Sequence, residues 1–176
     1  LEPEEIEMIE LGYKTELSDT LRLTSSLFMY DYKDLQVTRA ASGGGTVTTE
    51  NATDSDIMGL DFDITWLASE NLMIRFGGEF LDTEYTDYTT AGRVNNIVLT
   101  GNPDAIGYGY DYFNAEGESL LRAADMSWFM SLDYQSGPMS MNISYSWTDD
   151  YLFDFVRHPS SESLRQEAHG IMNARA

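Results

Sequence analysis

A chain of 176 residues with 30 acidic against 10 basic side chains, a formal charge of −20 and an isoelectric point near 4.1 suits one domain and repels nucleic-acid phosphates. It has no cysteine, which excludes disulfides and thiol chemistry. No apolar run approaches the ~20 residues of a spanning helix, so a helical membrane protein is excluded. A membrane β-barrel is not, because alternating strands average to a low mean hydropathy, here −0.33.

The start, Leu1-Glu2-Pro3-Glu4-Glu5-Ile6-Glu7, lacks the basic and apolar regions of a signal peptide, and the piece is expected to be internal to a longer chain. Period-two alternation then begins. Glu7 to Leu17 sets Ile9, Leu11, Tyr13 and Leu17 against Glu10, Gly12, Lys14 and Glu16. After a turn at Ser18 to Thr20, Leu21 to Val37 opens with Leu21, Leu23, Leu27 and Met29 on one face. Tyr30 and Tyr32 switch parity, which predicts a bulge or the end of the buried band. A loop is expected from about Thr38 to Ala52; its Ser42-Gly43-Gly44-Gly45-Thr46 lacks the Lys and following helix of a phosphate loop.

From Asp56, Met58, Leu60, Phe62, Ile64 and Trp66 alternate with Gly59, Asp61, Asp63 and Thr65. A turn at Ala68 to Asn71 leads to Leu72, Ile74, Phe76, Gly78 and Phe80, facing away from Arg75, Gly77 and Glu79. Asp82 to Arg122 reads as long and irregular, with glycines among tyrosines. Strand pattern returns at Met126, Trp128, Met130, Leu132 and Tyr134, opposite Ser127, Ser131, Asp133 and Gln135. A Ser136-Gly137-Pro138 turn joins it to Met139 to Thr148, where Met139, Met141, Ile143, Tyr145 and Trp147 alternate with Ser140, Asn142, Ser144, Ser146 and Thr148. A loop from about Asp149 to Ser163 precedes a weaker strand, Arg165 to Ala176.

The predicted fold is all-β, an antiparallel meander of about seven strands. A soluble sandwich and a wall of a transmembrane β-barrel both accommodate two-faced strands. The connections discriminate: short turns at Ser18 to Thr20, Ala68 to Asn71 and Ser136 to Pro138 alternate with long loops, as in an outer-membrane barrel with its short turns on the periplasmic side. Tyr13, Trp66 and Tyr134 fall near the short turns and Phe80, Tyr145 and Trp147 toward the loops, the arrangement of two interfacial girdles. On that reading Leu60, Phe62, Ile64, Trp66, Leu72, Ile74, Phe76, Phe80, Trp128, Met130, Leu132, Tyr134, Met141, Ile143, Tyr145 and Trp147 face lipid. Glu10, Lys14, Asp61, Asp63, Arg75, Glu79 and Asp133 face a watery lumen.

No catalytic constellation is legible, and no enzyme, cofactor or metal is expected. His158 and His169 pair with no nucleophile, and Asn51, Asp54, Asp56 and Gly59 lack the spacing and closing Glu of a calcium loop. Ligand contact is the stronger expectation, in the long middle loop, where Tyr85, Tyr88, Tyr108, Tyr110, Tyr112 and Phe113 supply flat amphipathic rings. That is stronger than any metal or catalytic role; the plainer reading, that these rings pack the loop against its neighbours, outweighs direct contact.

Several runs resemble the C-terminal barrel of TonB-dependent outer-membrane receptors. Leu1-Glu2-Pro3-Glu4 with Glu10-Leu11-Gly12-Tyr13-Lys14 resembles the family's "kPE…ElGlK" strand. Leu27 to Val37 resembles "aFyydYkdlQv", and Asn51-Ala52 with Ile57 to Asp63 resembles "NA…i.GvElE". Asn71-Leu72 with Tyr85 to Tyr88, then Tyr145-Ser146-Trp147 and Ile171 to Arg175, fit later, weaker patterns.

The resemblance implies part of a barrel of about 22 strands closed around an N-terminal plug. It implies a bacterial outer-membrane receptor for a scarce ligand, most commonly a ferric siderophore and otherwise haem, cobalamin or a glycan, with uptake energised by TonB. The partners implied are outer-membrane lipid, the receptor's own plug, the TonB complex and the small-molecule ligand. Residues 1–176 then form a partial C-terminal barrel segment without plug, TonB-contacting box or last strands. A secreted acidic β-sandwich for binding or adhesion and a non-gated porin-like barrel are the alternatives.

Overall fold

In the computed structural model, residues 1–40, 47–95, 100–153, 156–157 and 165–176 are described. Strands β1 (Glu5–Ser18), β2 (Leu21–Ala40), β3 (Val47–Ser69) and β4 (Leu72–Asn95) come first, followed by β5 (Tyr108–Asn114), β6 (Met126–Ser136) and β7 (Met139–Thr148). Four shorter strands complete the chain: β8 (Tyr151–Leu152), β9 (Val156–Arg157), β10 (Arg165–Gln166) and β11 (His169–Arg175). The main sheet runs β1-β2-β3-β4-β6-β7-β11, an antiparallel meander. Strands β5 and β9 add to the outer part of β4, and β8 pairs with β10.

The short connections are two-residue turns at Asp19-Thr20, Glu70-Asn71 and Gly137-Pro138. The Ser18 and Ser69 hydroxyls accept the Thr20 and Asn71 amides at 3.3 Å each, and Gly137 supplies a φ of 56° that a side chain would resist.

Register places the alternating residues into rungs. One rung runs Leu23, Ile64, Phe76, Met130, Tyr145, Met172; the next runs Ser25, Phe62, Gly78, Trp128, Trp147, Gly170. On the other face, Gly12, Ser26, Asp61, Glu79, Ser127, Thr148 and His169 line up. All sixteen residues expected to face lipid share the first face, and all seven lumen-assigned charges share the second. Tyr13 and Trp147 belong to one rung although they lie toward opposite ends of their strands, the stagger that tilted barrel strands require.

Neither face is covered by a second layer among the described residues. Ile9 is 75% exposed and Leu11 71%, and the buried hydrophobic cluster is confined to Tyr85, Tyr88 and Ala115, with Leu120 and Leu121 against it. Within the sheet, glycines are roofed by rings from the next strand. Phe28 lies over Gly59, Phe129 over Gly77 and Tyr145 over Gly170, and the Ser127 carbonyl lies against Gly78, so a Cβ at any of the four would strike its neighbour. Rings in this sheet also meet one another, Phe62 to Phe76 at 5.3 Å and Trp128 to Tyr145 at 5.4 Å between centroids.

The long connections differ from expectation. Thr38 to Ala40 and Val47 to Ala52 are strand, extending the β2–β3 hairpin, and Asp82 to Asn95 continues β4 and pairs with β5 beyond the apolar band. Apolar alternation stops where the apolar face ends, but backbone pairing, which needs no particular side chains, continues, so the sequence pattern ends before the strand does. The span Asp149 to Ser163 contains β8 and β9, and Arg165 to Ala176 is two strands, β10 on β8 and β11 on β7. The parity switch at Tyr30 and Tyr32 marks the end of the apolar face. The bulge lies just beyond it, between Tyr32 and Gln36.

Candidate functional site

The polar face carries a connected network where β4, β6 and β7 adjoin. Arg75 reaches Asp133 at 3.2 Å, Asn142 Nδ2 donates to Asp133 Oδ1 at 2.6 Å and to Ser131 Oγ at 3.1 Å, and Ser131 donates to Asp133 Oδ2 at 3.0 Å. Each residue comes from an even-spaced polar position of its strand, so strand alternation aims them all to one side. On β1 and β2, Ser26 donates to Glu10, and Arg22 pairs with Glu16 at 2.9 Å. Asp61 stands directly opposite Glu79, giving this part of the face an acidic centre.

On the apolar face, the band ends at a defined rung. Ile9, Met29 and Met58 align, with Asp82 next to them, and the following rung is Glu7, Asp31, Asp56, Glu84. Four carboxylates side by side need water or counter-charges, so the apolar band of β1 to β4 ends there. Lys33 answers one of them at 3.0 Å, and its hydrogen bond to Asp31 raises the ammonium pKa above the ordinary lysine value.

The rings singled out from sequence separate into two groups. Tyr85 and Tyr88 come together, 4.7 Å between centroids, because β3 and β4 slip register between Asp54 and Ser55. They are 6% and 7% exposed, beneath the segment from Ala115 to Leu121. That segment is stitched to β4 by Ala115 N–H to the Tyr88 carbonyl at 2.7 Å, Gly117 N–H to the Tyr85 carbonyl at 2.8 Å and Tyr85 N–H to the Glu118 carbonyl at 3.0 Å. Burial pushes the Tyr85 phenol pKa up. Their placement is that of packing residues. Tyr108, Tyr110, Tyr112 and Phe113 lie on β5, paired with Thr90 to Asn95; their side chains lie outside the described part, as does His158.

Three rings not singled out from the sequence lie on the polar face of β2. Phe28, Tyr30 and Tyr32 follow one another at two-residue spacing, Phe28 to Tyr30 at 5.4 Å, with Met8, Ile57 and Leu81 on the adjoining strands. The parity switch was their signal. The Tyr32 hydroxyl donates to Glu4 Oε2 at 2.9 Å, which raises the phenol pKa. Asn51 and Asp54, considered for calcium, are engaged instead with the main chain near residues 2 and 34. His169 lies on β11, opposite Thr148.

Residues 1–176 match the family model described as TonB dependent receptor-like, beta-barrel. A comparison with curated proteins finds no match. Among solved structures, the chain is similar to the ferric yersiniabactin uptake receptor FyuA from Yersinia pestis, with TM-score 0.65, 15% identity, and 97% of this chain covering 22% of that one. It is similar also to the ferric-catecholate import receptor Fiu from K12 E. coli, with TM-score 0.64, 12% identity, and 98% covering 21%. The FrpB iron transporter from Neisseria meningitidis follows at TM-score 0.57 and 12% identity, 97% covering 24%. The chain thus spans less than a quarter of the length of each.

Proposed function

Because the chain belongs to the TonB-dependent receptor β-barrel family, we propose that it is a C-terminal section of the barrel wall of a bacterial outer-membrane receptor, with its apolar face on lipid and its polar face on the lumen. The carrying observation is the register: within the apolar band, neighbouring strands put most of their large apolar residues on one face and their charges on the other. A sandwich would bury that face under a second sheet. In this reading the plug, supplied by the rest of the receptor, fills the lumen, and TonB energises uptake.

The ligand in this proposal is a ferric siderophore. Two similar structures are named for ferric yersiniabactin and ferric-catecholate import, and the Phe28 and Tyr30 rings on the polar face offer flat surface to an aromatic chelate. Tyr108, Tyr110, Tyr112 and Phe113 are the proposed ligand contacts, and Tyr85 and Tyr88 hold the segment from Ala115 to Leu121. Uptake of radioactive iron presented as catecholate and phenolate chelates, in cells with and without the full receptor, tests the reading. Receptor-dependent uptake that stops when the proton-motive force is collapsed is expected; equal uptake in both strains rejects the siderophore assignment.

A further inference from the structure

Strand β2 does not run straight into its outer hairpin. Its pairing with β3 slips between Tyr32 and Leu35 and again between Leu35 and Gln36, and Asp34 sits in the left-handed region at φ 56°. A bulge takes main-chain groups off the ladder, and those groups need other partners. Three side chains supply them. Glu4 Oε1 accepts the Gln36 N–H at 2.7 Å, Asp54 Oδ1 accepts the Asp34 N–H at 3.0 Å, and Asn51 Nδ2 donates to the Asp34 carbonyl at 2.6 Å.

The same side chains reach the segment entering β1. Asn51 Nδ2 donates to the Glu2 carbonyl at 2.8 Å, its Oδ1 accepts the Glu2 N–H at 2.6 Å, and Gln36 Nε2 meets that carbonyl at 3.0 Å. Glu4 is held at its second oxygen by Tyr32. These bonds join residues 17 to 49 positions apart, so closing them fixes three chain segments relative to one another rather than capping one turn locally. They sit just past the rung of Glu7, Asp31, Asp56 and Glu84, where the sheet leaves its apolar band.

We infer that Glu4, Asn51 and Asp54 are positioning residues: they lock the β2 bulge, set the direction in which the β2–β3 hairpin leaves the wall, and tie that direction to the chain entering β1. This goes beyond the uptake reading and does not depend on which ligand is carried.

The test uses the full-length receptor in detergent micelles, its folded state checked by heat-dependent migration on gels. Spin labels at Leu11→Cys and Thr49→Cys report the hairpin's direction against the wall. Otherwise-native receptor should give one narrow distance distribution, and Asn51→Asp, which keeps the shape and acceptor but loses both donated bonds, should at least double its width. Separately, amide exchange at Gln36 should rise at least tenfold in Glu4→Ala and return to the native rate in Glu4→Gln, whose amide oxygen still accepts. A folded Asn51→Asp receptor with native width overturns the inference. Should Asn51→Asp fail to fold, the Glu4 pair decides, and native exchange at Gln36 in Glu4→Ala overturns it.

Discussion

At the scale of single residues, neighbours in sequence have opposite surroundings. Ile143 lies in the rung Leu21, Trp66, Ile74, Leu132, Ile143, Ala174, all on the apolar face, whereas Ser144 lies among Thr65, Arg75, Ser131 and Asn173 on the polar one. Ile143→Arg is expected to destabilise the inserted receptor by about 2–4 kcal/mol, as for charges on the lipid face near the midplane, and Ser144→Arg by much less. Denaturant unfolding of both variants refolded into bilayers measures the difference; equal costs would reverse the face assignment. This contrast was legible in the sequence because a strand's period is two. The Arg75–Asp133–Asn142–Ser131 network was not, since it joins three strands whose register no single segment specifies.

At the scale of elements, the apolar band and the strands have different lengths. β2, β3 and β4 run 20, 23 and 24 residues, well past the apolar alternation, and their outer parts carry polar residues on both faces. The band was readable because one apolar face imposes alternation, while the outer pairing, out to Ala40 with Val47 in β2–β3 and Asn95 with Tyr108 in β4–β5, is made by backbone groups and leaves no such trace. Tyr85 and Tyr88 illustrate the consequence: the sequence left ligand contact and packing both open for them, and the register slip opposite Asp54 and Ser55 packs them under Ala115 to Leu121. Strand β5 is then the part of the outer hairpin proposed to meet ligand. Deleting residues 107–113 from the full receptor should lower ferric-siderophore affinity at least tenfold without loss of the folded barrel, measured by equilibrium binding to outer membranes. Unchanged affinity would remove β5 from the site.

At the scale of the whole molecule, the main sheet leaves β1 and β11 as edges and, among the described residues, one broad apolar face uncovered, with Leu11, Tyr13, Leu17 and Met172 each more than half exposed. Exposed edges and a contiguous apolar face associate in water, so the isolated 176-residue chain is expected to aggregate in plain buffer and to disperse in detergent. Light scattering with and without micelles checks this, and a soluble monomer without detergent would contradict the membrane reading. Period-two alternation and turn residues were enough for an all-β chain, two unlike faces and the short turns, because these follow from local chemistry repeated along each strand, while the family resemblance rested on particular runs such as Leu27 to Val37. Which strands pair, at what stagger, and which side chains meet across them came from the folded arrangement. Cross-strand hydrogen bonds join residues far apart in the chain, and one residue of slip in β4 re-aims the residues beyond it.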